Sequence, residues 1–367
     1  MIVTPIRRTI GSFADVNSGK IIDSKLVYDT PEGHPFPCYG GNGLRGYVDA
    51  YNNEGNCPII GRVGALCGNV HLAAGKFYAT EHALVVHLKD DSVFAKWFIY
   101  CLKHLNLRRI AKGVAQPVIA GSEVKKIVIT IPNKEEQSHI IAELELLSEI
   151  ITAKRAQIDD LDALAQSVFY EMFGDPVSNE KMWLTAQLKD IAPQRVFKGP
   201  IPKKHGKTWL LNLDMVEAQT GDILEKKYFT DEEIGNSTTT FNEDNVLYSK
   251  LRPYLNKVVL PDEPGYCTTE LVPLAPVPNT LDRFFFAYLL RSKFFVDYIS
   301  GRVAGAKMPR VSMGDFRAFD VITPPIQMQR EFADKVMDIQ DNKRRIKETL
   351  KDVETLLASR LDYYFNE

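Results

Sequence analysis

From Ile140 onward, apolar residues step along the chain by fours and threes: Ile140, Leu144, Leu147, Ile151, Ile158, Leu161, Ala165, Val168 and Met172, with Lys154 on the same series. A second series runs Phe332, Val336, Ile339, Ile346, Leu350, Val353, Leu357 and Tyr364, with Lys343 and Arg360 among its positions. Two apolar positions in seven, held over more than four heptads, predict a coiled-coil seam rather than the broader face of a core helix. The first helix should stop at "FGDP", where Gly174 suits a C-terminal cap and Pro176 blocks continuation. About 40 residues at 1.5 Å per residue give a rod of about 60 Å. The seam lysines, Lys154 and Lys343, either fix register or carry their ammonium groups outward.

The remaining residues read differently. Short runs rich in Val, Ile and Tyr alternate with turn clusters, which predicts mixed α/β blocks of short strands. Two stretches, 92–111 and 281–300, have helical amphipathic spacing, with aromatic residues expected in the core.

These patterns occur twice. "GVAQPVIAGSEVKKIVITIPNKEEQ" from Gly113 aligns without a gap on "GAKMPRVSMGDFRAFDVITPPIQMQ" from Gly305, an offset of 192. Pro117 falls on Pro309, Pro132 on Pro324 and Gln137 on Gln329. Further upstream the match loosens, pairing Arg62 with Arg252 and Thr80-Glu81 with Thr269-Glu270. The chain therefore reads as a tandem duplication of a half about 190 residues long, most alike where each half ends. Antiparallel packing of the two helices would put one block at each end of a dumb-bell.

Charge sharpens the division. The whole chain carries a formal −2, but residues 1–131 carry +5, 132–180 carry −8, 181–323 carry +2 and 324–367 carry −1. Basic blocks thus alternate with acidic or near-neutral helices. No apolar run approaches a membrane span, and the first residues lack a signal peptide's apolar centre. Five cysteines without a C-x-x-C pair suggest reduced thiols, and the scattered histidines outline no metal site.

Gly41, Gly43 and Gly46 have the G-x-G-x-x-G spacing of a dinucleotide loop. That fingerprint needs a buried strand before it and a helix after it. Here three prolines precede the glycines and no helical period follows, so a glycine-rich turn between short strands is expected instead. No G-x-x-x-x-G-K-[ST] loop is present either, and no catalytic grouping stands out.

The tandem segments "GVAQPVIAGSEVKKIVITIPNKEEQ" and "GAKMPRVSMGDFRAFDVITPPIQMQ", each running into a helix, resemble the specificity subunit of type I restriction-modification systems over essentially the whole length. The "YGGNGLRGYVDAY" turn is similar to a segment common in one class of their recognition domains. The resemblance implies an α+β fold, a pseudo-twofold tandem repeat of two mixed α/β target-recognition domains separated by an antiparallel two-helix coiled coil. The expected boundaries are 1–131, 132–176, 177–323 and 324–367. It also implies a chain without catalysis of its own that reads an asymmetric bipartite site on double-stranded DNA. Its partners would be two methyltransferase subunits and, in the full complex, restriction subunits. S-adenosylmethionine, ATP and Mg would belong to those partners and none to this chain.

Arg, Lys, Asn and Gln are the usual readers of bases and phosphates. In the first block they nominate Asn42 and Arg45 on the glycine turn, with Tyr39 bracing it, and Arg62, Lys112 and Gln116. In the second they nominate Lys250, Arg252, Tyr254 and Asn256 in "LYSKLRPYLNKVV" and a basic strip at Lys198, Lys203 and Lys204. Lys307 and Arg310 in "GAKMPR" complete the set. A coiled-coil scaffold with two protein-binding ends is the alternative; it would not need such loops in both blocks.

Overall fold

The computed structural model of the chain describes residues 6–113, 116–304 and 308–366. Two compact units emerge, Met1–Ala153 with Thr349–Glu367 and Lys154–Glu348, so each unit holds one mixed block and part of both long helices.

The seam patterns become two 40-residue helices, Lys134–Phe173 and Ile326–Phe365. Ile140, Leu144, Leu147 and Ile151 are buried on the first, and Phe332, Val336 and Ile339 on the second. Ile158, Leu161, Lys154, Ile346, Leu350 and Val353 are half-buried. Gly174 ends the first helix at a φ of +74°, its N–H on the Tyr170 carbonyl. Within the second unit, Asp162 meets Lys343 while Phe169 and Phe173 meet Phe332 edge-on. Partner numbers fall on one helix as they rise on the other, so these segments run antiparallel. Within the first unit, Glu143 receives Arg360 and the Tyr364 hydroxyl.

In the first unit β1 (Ile6–Thr9) pairs with β10 (Val128–Ile131). One sheet takes β2 (Ala14–Ser18), β6 (Cys57–Gly61), β7 (Val70–Ala73) and β9 (Ala83–Leu88) in the order β2-β9-β6-β7. The other takes β3 (Phe36–Gly40), β4 (Gly43–Val48), β5 (Asn53–Glu54) and β8 (Lys76–Ala79) in the order β4-β3-β8-β5, with β3 and β8 parallel. In the second unit β11 (Thr185–Gln187) pairs with β21 (Asp320–Ile322), and β19 (Val303–Ala304) with β20 (Arg310–Val311). Strands β12 (Thr208–Leu211), β13 (Tyr228–Phe229), β14 (Thr238–Phe241) and β17 (Gly265–Thr268) form a sheet ordered β13-β12-β17-β14, again with one parallel pair. A last sheet, β16-β15-β18, joins β15 (Val246–Ser249), β16 (Val258–Val259) and β18 (Leu271–Leu274). A bridge from Gln194 to Leu274 stands where β2 meets β9 in the first unit. The two units therefore share one topology.

Strand registers date the repeat more finely than the letters do. Ile59 faces Val85 as Leu247 faces Pro273, and Ile60 faces His71's neighbour Val70 as Tyr248 faces Val258. Each match is an offset of 188. The expected pairing of Arg62 with Arg252, and of Glu81 with Glu270, is thus corrected: Arg62 corresponds to Lys250, Gly64 to Arg252 and His82 to Glu270. Matching like letters had slipped the alignment by one or two residues, whereas ladder hydrogen bonds admit a single register.

The amphipathic stretches fold as expected, Ala95–His104 in the first unit and Arg283–Arg291 with Lys293–Ser300 in the second. Trp97, Phe98, Phe285, Phe286 and Phe295 lie in the cores. Two glutamines lock each block to its long helix. Gln137 accepts from the Phe94 N–H and donates to the Ser92 and Pro132 carbonyls; Gln329 accepts from Asp282 N–H and donates to Thr280 and Pro324. Both are fully buried.

Candidate nucleic-acid interface

The glycine turn is a hairpin. Gly40 pairs with Gly43 across Gly41-Asn42, and the chain returns as β4, not as a helix, so the dinucleotide requirement is unmet. Glycine is needed for close approach: a Cβ on Gly61 would lie 2.2 Å from the Gly41 carbonyl oxygen, and one on Gly46 would lie 2.5 Å from that of Tyr28. The hairpin tip therefore rests directly on the end of β6. Asn42 and Arg45 are exposed there, and Asn69 donates to Asn42 at 3.4 Å. Tyr39 is half-buried and lies edge-on to Phe77 at 5.7 Å, packed against the core beneath the hairpin, a position that suits bracing the turn.

Beside this tip lies the loop from β6 to β7, residues 62–69; in the second unit the corresponding loop joins β15 to β16, residues 250–257. The two loops have equal length and share most of their backbone hydrogen bonds. Arg62 N–H donates to the His82 carbonyl and Lys250 N–H to that of Glu270. Gly64 and Arg252 donate to Pro117 and Pro309, while Ile119 and Val311 donate back to Arg62 and Lys250. Cys67 donates to Gly64 as Leu255 does to Arg252. The left-handed positions coincide as well, Gly64 at φ +87° with Arg252 at +50°, and Gly68 at +95° with Asn256 at +49°.

That backbone explains Asn256. Asparagine tolerates the left-handed region, and here the side chain is buried, its Nδ2 donating to the Arg291 carbonyl at 2.9 Å. Asn256 shapes the loop and does not reach its surface, so its nomination as a DNA contact is withdrawn. Lys250 and Arg252 are half-buried and Tyr254 is half exposed. The Nε atoms of both Arg62 and Arg252 are buried without a hydrogen-bond partner.

Other nominated side chains gather on the same edge. In the first unit Lys112 and Gln116 are exposed next to the Pro117–Ile119 segment that bonds the loop. In the second unit Arg310 is exposed beside it and pairs with Glu270 at 2.8 Å; Lys307 lies outside the described residues. Lys203 and Lys204 do not join this cluster. Lys204 pairs with Glu263 at 3.0 Å, ahead of β17, whereas Glu270 follows that strand. Lys203 pairs with Asp231 at 2.5 Å. Burial pushes the Glu263 carboxyl up, but hydrogen bonds from Tyr228, Lys204 and Lys226 outweigh it and bring its pKa to about 2. The strip is a neutralised network, with exposed Lys198 nearby in sequence.

The units part company at the next connection. Where the first has the two-residue turn of the glycine hairpin, the second has residues 212–227 between β12 and β13. This excursion folds onto the second long helix: Lys343, only 2% exposed, contacts Asp162 at 2.8 Å and Asp222 at 3.0 Å, and Lys347 reaches Asp222 at 2.7 Å. Burial disfavours both charges, yet the mutual attraction wins. Asp222 is held below, and Lys343 above, its ordinary pKa.

Among the described residues no group of His, Cys, Asp and Glu could hold a metal, and no helix is long and apolar enough to cross a membrane. All five cysteines are free and buried, and burial lifts the Cys101 and Cys267 thiols to about 12. Sequence reasoning missed Leu66, exposed at the position of Tyr254, together with Asn69 and His82. The equal spacing between the apolar runs "CPIIG" and "NVLYS" and the strands after them was the available signal.

The family described as type I restriction modification DNA specificity domain matches the chain twice, over residues 7–161 and 180–354. A specificity subunit of the type I restriction enzyme EcoprrI from Escherichia coli is 37% identical over 140 residues, 38% of this chain and 35% of that protein. The EcoDI specificity subunit from the same species is 22% identical over 302 residues, 71% of this chain and 66% of its own length. The chain thus spans between about a third and two thirds of these relatives. In fold it is similar to the type I restriction-modification S subunit from M. genitalium, with a TM-score of 0.64 at 20% identity over 100% of this chain and 97% of that one. A chain from a study of complex assembly in the type I R-M system gives 0.55 at 16% identity, covering 99% and 97%.

Proposed function

The chain belongs to the type I restriction modification DNA specificity family, and from that premise we propose that it is the subunit that gives such a complex its DNA address. Each unit reads one half of an asymmetric bipartite site on double-stranded DNA. The long helices form the antiparallel spacer between the readers and set the gap between half-sites, which for DNA readers is about 34 Å or a multiple of it. Two methyltransferase subunits dock on this frame and methylate adenine with S-adenosylmethionine, and restriction subunits using ATP and Mg join the full complex. The chain contributes recognition, not catalysis.

One observation supports this reading most: the same loop backbone recurs in both units while its side chains differ, Arg-Val-Gly-Ala-Leu in one and Lys-Leu-Arg-Pro-Tyr in the other. A shared scaffold presenting different donors is what two readers of different sequences require. Block charges of only +5 and +2 are low for a tight DNA binder, so the partner subunits complete the clamp and the chain alone should bind DNA weakly. The test is co-expression with a type I methyltransferase subunit from the same host, followed by co-purification and adenine methylome sequencing, with the methyltransferase alone as control. The expected result is a complex and a bipartite methylated motif that vanishes without this chain. A methyltransferase that neither co-purifies nor changes its motif would overturn the proposal.

A further inference from the structure

Most features that diverge between the units are trivially different loops, but residues 62–69 and 250–257 are not. Five backbone hydrogen bonds recur at matched positions, and so do both left-handed residues. One of the matched positions carries its side chain outward in both units. Leu66 is 45% exposed and Tyr254 is 50% exposed, each at the apex of its loop, where a large apolar group gains nothing from water.

The other position is stranger. Gly64 occupies the left-handed conformation without penalty, and a Cβ there would meet nothing within 4 Å. Its counterpart is Arg252, held at φ +50°. A left-handed conformation disfavours any residue with a Cβ, and asparagine or glycine would relieve it. The second unit keeps asparagine at the neighbouring left-handed position, Asn256, yet arginine at this one. Among the described residues Arg252 forms no ion pair, and its Nε is buried without a partner. Strain retained on an arginine that forms no ion pair points to a side chain kept for a ligand.

We propose that these two loops are matched specificity loops, one backbone on which positions 64 and 66 of the first unit and 252 and 254 of the second choose the bases. Arg252 is a direct DNA contact, its guanidinium offering paired donors to a guanine edge, and Leu66 and Tyr254 are apolar contacts to base edges such as a thymine methyl. The last position of each loop is structural in both: Asn69 bonds Asn42, and Lys257 donates to the Leu213 carbonyl at 2.6 Å, each tying its loop to the adjoining connection. This inference rests on the DNA-reading function proposed above and names the residues that carry it.

The experiment uses the chain in complex with its methyltransferase subunits and short duplexes bearing the methylated motif, or that motif with one half-site scrambled. Arg252→Gly and Tyr254→Ala should each weaken binding to the intact motif by about tenfold or more, with binding to the duplex whose second half-site is scrambled left unchanged. Leu66→Ala should do the same for the first half-site alone. The distinguishing readout is stability: Arg252→Gly should leave the unfolding midpoint unchanged or raise it, which a merely structural arginine would not. Full affinity in all three variants would overturn the inference, as would a fall in the unfolding midpoint of Arg252→Gly that accounts for its lost binding. If the wild-type complex fails to distinguish intact from scrambled duplex, the DNA-reading function itself fails first and takes this inference with it.

Discussion

Between the two units, what repeats and what diverges are separated by a few residues. The loop at 62–69 and its counterpart at 250–257 keep most of their backbone hydrogen bonds, whereas the connection next to them changes from the Gly41-Asn42 turn to an excursion over residues 212–227. In the first unit the hairpin tip is exposed and rests on β6 through glycine contacts. In the second, the excursion is drawn to the long helix by Lys343 and Lys347 acting on Asp222, and Gln219 supports the neighbouring loop through the Tyr254 and Leu255 backbone. The lesson is that duplication preserved the elements whose backbone groups satisfy each other and released the connection whose tip could find partners of its own.

The largest expected effects fall where the units are most alike. Gln137→Leu and Gln329→Leu each leave one N–H and two carbonyls unpaired in a dry site, and each should destabilise its unit by about 4 kcal/mol in denaturant unfolding. Similar losses for both variants would confirm that the lock is shared. A clear inequality would break the comparison at its firmest point.

Lys343→Met comes next and acts on the second unit only. It takes Lys343 from Asp162 and leaves Asp222 with Lys347 alone beside a buried methionine, and should cost about 3 kcal/mol. The effect depends on pH at both ends. Asp222 is depressed, so its contribution is complete above about pH 4 and disappears as pH falls through the folded-state value. Lys343 is raised, so its contribution is complete below about pH 10 and disappears as pH rises through the folded-state value. The wild-type advantage over Lys343→Met, followed by thermal unfolding against pH, should therefore be flat between those limits and shrink outside them.

The smallest effect is the sharpest comparison, because it contrasts one backbone position. Gly64→Ala places a Cβ in a left-handed conformation with open space around it and should lose about 1 kcal/mol from backbone strain alone. Arg252→Gly at the matched position should move stability in the opposite direction or not at all. Two losses of equal size would show that arginine there is no strain.

Much of the fold was legible in the sequence. The four-three spacing from Ile140 and Phe332 located both long helices, and "FGDP" located the end of the first. The offset of 192 in the segments that close each half holds in the structure, with Ile10 bonded to Ile127 as Leu188 is to Phe319. Upstream, short strands separated by loops of changing length gave too few letters to fix register, and Arg62 was matched to Arg252 because the residues look alike. Only ladder hydrogen bonds reveal that Lys250 is the true counterpart.

The candidate site was legible as chemistry but not as geometry. Asn42, Arg45, Arg62, Lys112, Gln116, Lys250, Arg252, Tyr254 and Arg310 were nominated by side-chain type, and within each unit the loops bearing them adjoin. The same criterion also chose Asn256, which faces inward, and Lys203 and Lys204, whose acid partners lie away from these loops. It passed over Leu66, because an apolar residue carries no recognisable signal until its exposure is known.

The account stands on two units reading two half-sites independently. Its most direct test is methylome sequencing of a host in which residues 181–323 have been exchanged for the corresponding block of another member of the family, the methyltransferase being kept. The prediction is a motif in which one half is retained and the other replaced. A motif unchanged in both halves, or altered in both, would contradict it.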